Sequence, residues 1–215
     1  MIAVGGRPLR YVALGDSYTI GTAVDPTASW PAQLAEALAA RPEPDGTLEL
    51  VANLGVNGCS SGELRRDQLP ELDRLRPGFA SLLIGVNDVV RGTRAGTYEA
   101  TLQAIFETLL ARLAPNRILT VAIPDYTATP RGADYGDPAQ QSHEIAAFNA
   151  IMSRLSAAHG VPHVDIVDLS VRAAVDQSLV APDGLHPSVA QYRLWVERIA
   201  PVVAGLLAEG RWGTQ

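Results

Sequence analysis

The stretch Tyr11-Val12-Ala13-Leu14-Gly15-Asp16-Ser17 is an apolar run that ends in a polar turn carrying a hydroxyl. A short apolar run bounded by glycine fits a buried strand, and a helix-like stretch lies some way beyond it. Open α/β sheets place their chemistry at the carboxyl ends of the strands, so Ser17 stands where a nucleophile would stand. A serine at a strand exit also serves as a helix cap or turn former. The choice depends on whether the rest of the chain supplies a base, an acid and an oxyanion hole.

Outward from this stretch, strand-like and helix-like segments alternate. Ser29 can cap a helix that opens with Trp30-Pro31 and presents Leu34 and Leu38 on one face. Leu48 to Ala52 reads as a second strand, followed by a Gly/Asn/Ser-rich loop from Asn53 to Gly62. Ser61 is placed to cap a helix from Glu63 to Leu75, which Pro70 kinks or splits. Phe79 to Ile84 is a continuous apolar run, as for a strand covered on both faces, and it leads into Gly85-Val86-Asn87-Asp88. From Tyr98, the residues Leu102, Ile105, Phe106, Leu109, Leu110 and Leu113 follow the helical period.

Ile118 to Ile123 is the fourth strand, and Pro124 to Asp137 a long polar loop. Asp137-Pro138-Ala139-Gln140 starts a capped helix that ends at Gly160. Val161 to Val167 is the fifth strand. The last helix carries Val189, Tyr192, Trp195, Ile199, Val202 and Leu206 on one face. Five strands separated by helices predict an α/β fold, a three-layer sandwich around a five-stranded parallel sheet, in a single domain over residues 1–215.

Composition removes several classes of function. With 47% apolar residues in 215, the chain can bury a sizeable core. No segment approaches the roughly 18 apolar residues of a membrane span, so stable membrane insertion is not expected. Met1 to Pro8 lacks the long apolar stretch of a secretory signal, and a cytoplasmic protein is the expectation. The net charge of −6 and the scattered basic residues argue against nucleic acid as a partner. All 17 basic residues are arginine, which excludes a P-loop, a Schiff-base lysine and a Ser-Lys dyad. Cys59 is the only cysteine, so there is neither an internal disulfide nor a Cys-rich metal site.

Asp183 and His186 are three residues apart, and one turn brings their side chains to the same side. The carboxylate can then hold the imidazole Nδ1–H and leave Nε2 free to accept a serine proton. Asp-Gly-Leu-His-Pro fits an ordinary turn before a helix equally well. An oxyanion hole needs donors aimed at the developing charge. Gly55, after the second strand, can bring its N–H close to a ligand, and Asn87, after the third, has a carboxamide donor. Turn formation by Gly55 and helix capping by Asn87 are the alternatives. All these residues fall past strand ends or in the last loop, so all can face one rim.

With these residues in place, the chain resembles the SGNH hydrolases, the GDSL-type esterases and lipases. Gly15-Asp16-Ser17 matches the first family block, and Asn53-Leu54-Gly55 with Gly58 resembles the second. Gly85-Val86-Asn87-Asp88 matches the third and Asp183-Gly184-Leu185-His186 the last, in the family order. The resemblance implies a flavodoxin-like fold and a carboxylic ester hydrolase that needs no metal or cofactor. It implies Ser17 as nucleophile, His186 as base and Asp183 as its orienter. The oxyanion hole would comprise the Ser17 and Gly55 N–H groups and the Asn87 side chain. Tyr18 replaces the leucine of the family name and stands beside the nucleophile, where it can shape the acyl pocket.

Rival assignments exist. Gly58-Cys59-Ser60-Ser61-Gly62 fits a Gly-x-Ser-x-Gly nucleophile elbow, which makes Ser60 a competitor of Ser17. A metal-dependent phosphoesterase would use Asp16, Asp88 or Asp168, and His163 with Asp165 and Asp168 has the look of a metal set. A flavodoxin-like binding module would need neither Ser17 nor His186. His159, at a helix end, reads as structural, and His143 can line the site. The expected partner is a small-molecule ester. Acyl length, alcohol type and oligomeric state are not written in the sequence.

Overall fold

Tyr11 to Leu14 become the wholly buried part of β1 (Leu9–Gly15), flanked on both sides by other strands in this computed structural model. The structure describes residues 8–41 and 46–209, so all but Pro8 of the Met1 to Pro8 segment lies outside the described residues. β2 (Leu48–Asn53), β3 (Phe79–Leu83), β4 (Ile118–Val121) and β5 (His163–Val164) complete the sheet. Every pairing is parallel and the order is β2-β1-β3-β4-β5, as expected for a flavodoxin-like doubly wound sheet. In that order the chain winds one way from β1 to β2 and the other way from β3 onward. The resulting crevice lies beyond the carboxyl ends of β1 and β3, which pair through Gly15 and Leu83.

Helices cover the sheet in two groups, which makes the fold a three-layer sandwich. α1 (Ser17–Ile20) is a single turn, and α2 (Trp30–Ala39) packs on the long C-terminal helix, named below. Pro70 divides the expected helix into α3 (Ser61–Asp67) and α4 (Glu71–Leu75). After α5 (Val86–Val90), α6 (Ala95–Leu110) packs against α3 and α7 (Pro138–Ala158). α8 (Val167–Ser170) leads through short 3₁₀ turns to α9 (Val189–Glu209). Asp137 caps α7 as its sequence indicates, accepting the Gln140 N–H at 2.9 Å. Trp30, Leu34 and Leu38 of α2 and Tyr192, Trp195 and Ile199 of α9 are wholly buried. Burial of each of the aliphatic side chains Leu34, Leu38 and Ile199 contributes about 1.5–3 kcal/mol.

Three local expectations change. Ser60, not Ser61, caps α3, because Glu63 returns its carboxylate to the Ser60 N–H in a reciprocal capping box. The fifth strand shrinks to His163–Val164, since Asp165 turns the chain by accepting the Val167 N–H at 2.8 Å. On α9 the buried stripe runs through Val196, Ile199, Val203 and Leu207. Val202, one position back on the helix, faces outward at 39% exposure, while Leu206 is half-buried against the core as expected.

Candidate active site

The turn after β1 is built around Asp16. Its carboxylate is wholly buried, caps α1, and accepts the Tyr18 N–H at 3.0 Å. Burial pushes the Asp16 carboxyl up to about 8, opposed by the Tyr18 hydrogen bond and reinforced by nearby Asp88. Ser17 is the first residue of α1, and neither its N–H nor its Oγ has a hydrogen-bond partner among the described residues. Buried Gln68 fixes the strand end from below: its Oε1 accepts the Gly15 N–H at 3.0 Å and its Nε2 donates to the Gly15 carbonyl at 2.7 Å.

The loop after β2 folds back over this turn. A Cβ on Gly55 would lie 2.5 Å from the Ile20 nitrogen and 2.8 Å from the Asp16 carbonyl, so only glycine fits. Its N–H donates to Asn53 Oδ1 at 3.1 Å, and Gly55 is not among the residues that wall the cleft beside Ser17. Gly55 thus has a packing task, and its N–H is taken up by Asn53. Three residues on, Gly58 does wall the cleft, at the third position of a turn closed by the Cys59 N–H on the Val56 carbonyl (3.1 Å). Its φ of +74° is the conformation a type II turn reserves for glycine, and its N–H has no partner among the described residues. Asn57, beside it, accepts a hydrogen bond from Thr22. The Asn53-x-Gly55-x-x-Gly58 spacing was the visible signal, but not which glycine turns toward the crevice.

α5 supplies the opposite wall. Asn87 Nδ2 donates to the Cys59 carbonyl at 3.0 Å, which orients the carboxamide and leaves its second N–H free to face the cleft. Asp88 accepts both the Ser61 N–H and the Ser61 hydroxyl at 2.7 Å, and burial raises its carboxyl. Ser60 Oγ donates to Glu63 Oε2 at 2.9 Å, and the residue is absent from the cleft wall.

The last loop brings the Asp183–His186 pair to the same place. His186 Nδ1 lies 2.6 Å from Asp183 Oδ2, while Asp183 Oδ1 accepts the Leu185 and His186 N–H groups at 3.0 Å each. Burial pushes the Asp183 carboxyl up, but these three donors outweigh it and hold it below the usual carboxylate range. Tyr18 packs on the imidazole, with ring centroids 5.6 Å apart. The loop is pinned by the Ala181 N–H on the His186 carbonyl (2.7 Å) and the Arg131 N–H on the Gly184 carbonyl (3.0 Å).

Ser17, Gly58, Asn87 and His186 thus line one cleft of about 300 Å³ with Tyr126, Tyr135 and Leu185. No hydrogen bond joins Ser17 Oγ to His186; such bonds often close only once substrate is bound. The other candidates are spent elsewhere. Asp168 pairs with Arg198, His163 Nδ1 meets Thr120 Oγ1 at 3.0 Å, and His159 stacks on Phe106. His143 is exposed and outside the cleft wall. Among the described residues, no three His, Cys, Asp or Glu side chains gather as metal ligands, and no helix is long and apolar enough to cross a membrane.

The model of the GDSL-like lipase/acylhydrolase family matches residues 13–194, from β1 into α9. The chain belongs to this family. As a GDSL-type protein it is a carboxylic ester hydrolase. No curated protein matches the sequence. Among solved structures, the acetylxylan esterase Axe2 of Geobacillus stearothermophilus superposes with a TM-score of 0.71 at 18% identity, over 94% of this chain and 96% of its own. The lipase/acylhydrolase of Enterococcus faecalis gives 0.69 at 21% identity, over 91% and 95%. The psychrotrophic esterase EstA of a Pseudoalteromonas species, inhibited by monoethylphosphonate, gives 0.67 at 19%, over 92% and 98%. At these identities the structural likeness speaks for the GDSL fold.

Proposed function

We propose that this GDSL-type hydrolase cleaves small, uncharged carboxylic esters through an acyl-enzyme on Ser17. The observation that carries the reading is that His186, held 2.6 Å from Asp183, lines the same cleft as Ser17. His186 Nε2 takes the Ser17 proton as Oγ attacks the ester carbonyl carbon. The tetrahedral oxyanion is met by the Ser17 N–H, the Asn87 side chain and the Gly58 N–H, the last in place of Gly55. His186 then gives the proton to the departing alcohol oxygen as the carbon–oxygen bond breaks. Water, deprotonated by His186 in turn, releases the acid and restores Ser17.

The cleft wall supports the substrate class. It presents no aspartate, glutamate or arginine side chain, and its volume is at the small end for ligand pockets. A phosphonate probe, of the inhibitor class that acts on the Pseudoalteromonas esterase, tests the nucleophile. Labelling by a fluorophosphonate is expected on Ser17 and should vanish in Ser17→Ala. Label recovered on Ser60 from that variant would transfer the role to the elbow serine.

A further inference from the structure

Arg91 follows α5 and sends its guanidinium back across the cleft-side loop. Nη2 donates to the Gly58 carbonyl at 2.6 Å, and Nη1 pairs with Glu63 Oε2 at 2.9 Å. The same Glu63 oxygen accepts the Ser60 N–H at 2.8 Å, so the loop from Gly58 to Ser60 is gripped at both ends by one fork. Asn87 takes the carbonyl between them, that of Cys59. The loop therefore hangs from α5, the turn that also carries Asn87. Beyond the Val56–Cys59 turn, no side chain packs against Gly58: a Cβ there would meet nothing within 4 Å, and its backbone is in a left-handed conformation. The Glu63 carboxylate is held down to about 2, first by the Ser60 hydrogen bonds and then by Arg91, so the grip persists at any pH where an esterase works.

We infer that Arg91 is a positioning residue for ester hydrolysis, setting the Gly58 N–H against the Asn87 carboxamide through its fork on the Gly58 carbonyl and Glu63. The inference rests on the oxyanion hole proposed above. The guanidinium suits the task because it is planar, permanently charged and able to bind two acceptors at a fixed angle. A donor displaced from the oxyanion acts on the transition state and leaves the bound ester nearly untouched.

The test uses the full chain with Arg91→Ala and Ser17→Ala, measuring kcat and KM on p-nitrophenyl acetate, inhibition by an alkyl boronic acid, and Tm. Arg91→Ala should lower kcat about 10–100-fold, below the about 10²–10³-fold range for deleting a whole oxyanion donor, with KM within about threefold. Boronic acid binding, which mimics the tetrahedral adduct, should weaken by a similar factor. A purely structural arginine would lower Tm and leave kcat and boronate binding unchanged at temperatures where the variant is folded; that result overturns the inference. If Arg91→Ala does not fold, Arg91→Lys, which keeps the charge without the fork, decides: a kcat within about twofold of wild type overturns it, and a larger loss supports it. An active Ser17→Ala would bring down the catalytic reading and this inference together. An inactive Ser17→Ala with a normal Arg91→Ala brings down the inference alone.

Discussion

Replacing Asp183 by asparagine separates the chemistry of that side chain from its shape. In the wild type, three N–H groups converge on the carboxylate: His186 Nδ1 at 2.6 Å and two backbone donors at 3.0 Å. A carboxamide has one oxygen and one NH₂ for the same three positions. If the oxygen stays on the backbone donors, the NH₂ faces Nδ1 and forces the imidazole proton onto Nε2, the atom that must accept from Ser17. If the amide turns over, two backbone donors lose their acceptor, at about 1–3 kcal/mol each. The first arrangement is cheaper, so the enzyme should remain folded with the wrong tautomer. In a Ser-His-Asp triad that error costs about 10⁴ in kcat, or about 5.4 kcal/mol at 1.36 kcal/mol per tenfold. The assay is p-nitrophenyl acetate hydrolysis with circular dichroism on the same samples; KM should stay within a few fold. A folded Asp183→Asn enzyme within about tenfold of wild-type kcat would refute the orienting role.

Three further outcomes are expected. Gly55→Ala drives a methyl into the Asp16 carbonyl and the Ile20 nitrogen, so Tm should fall by the equivalent of about 1–3 kcal/mol and kcat/KM should fall with it, because those atoms shape the Ser17 turn; unchanged melting would contradict the packing. Ser60→Ala should cost about 1 kcal/mol as a lost helix cap while Ser17 still takes the phosphonate label, read by denaturant melts and mass spectrometry. Asp16 has a folded value of about 8, above its unfolded one, so its stabilising contribution is complete below the ordinary carboxylate range and is lost as pH rises through about 8. Asp16→Asn cannot ionise, so urea melts should show the variant gaining on wild type from pH 4 to 8; parallel pH curves would count against a buried, uncharged Asp16.

What could be read from the sequence was what is local in the chain. The buried run ending at Gly15-Asp16-Ser17 announces a strand exit, and the three-residue spacing of Asp183 and His186 announces a pair that one turn can close. Asn87 was legible for the same reason, as a donor placed just after an apolar run. Which of Gly55 and Gly58 walls the cleft was not. It depends on how the loop seats itself on Ile20 and Asp16, a contact across more than 30 residues of chain. Arg91 was hidden in the same way, since an exposed arginine after a short helix has no pattern that predicts an acceptor at Gly58. The outward turn of Val202 reflects a choice between neighbouring helical rows, both apolar, that only packing against α2 and the sheet decides.

The tie between Arg131 and Gly184 links two parts of the enzyme that would otherwise evolve separately. Residues 124–137 contribute Tyr126 and Tyr135 to the cleft and so bear on which esters fit. Through one backbone hydrogen bond they also prop the turn that presents Asp183 and His186. A graft of this loop from a relative, made to change substrate range, would disturb the base along with the pocket unless the Arg131 N–H keeps its place. Selectivity and turnover in this scaffold are therefore heritable together, and libraries that vary residues 124–137 should hold position 131 and its flanking backbone constant.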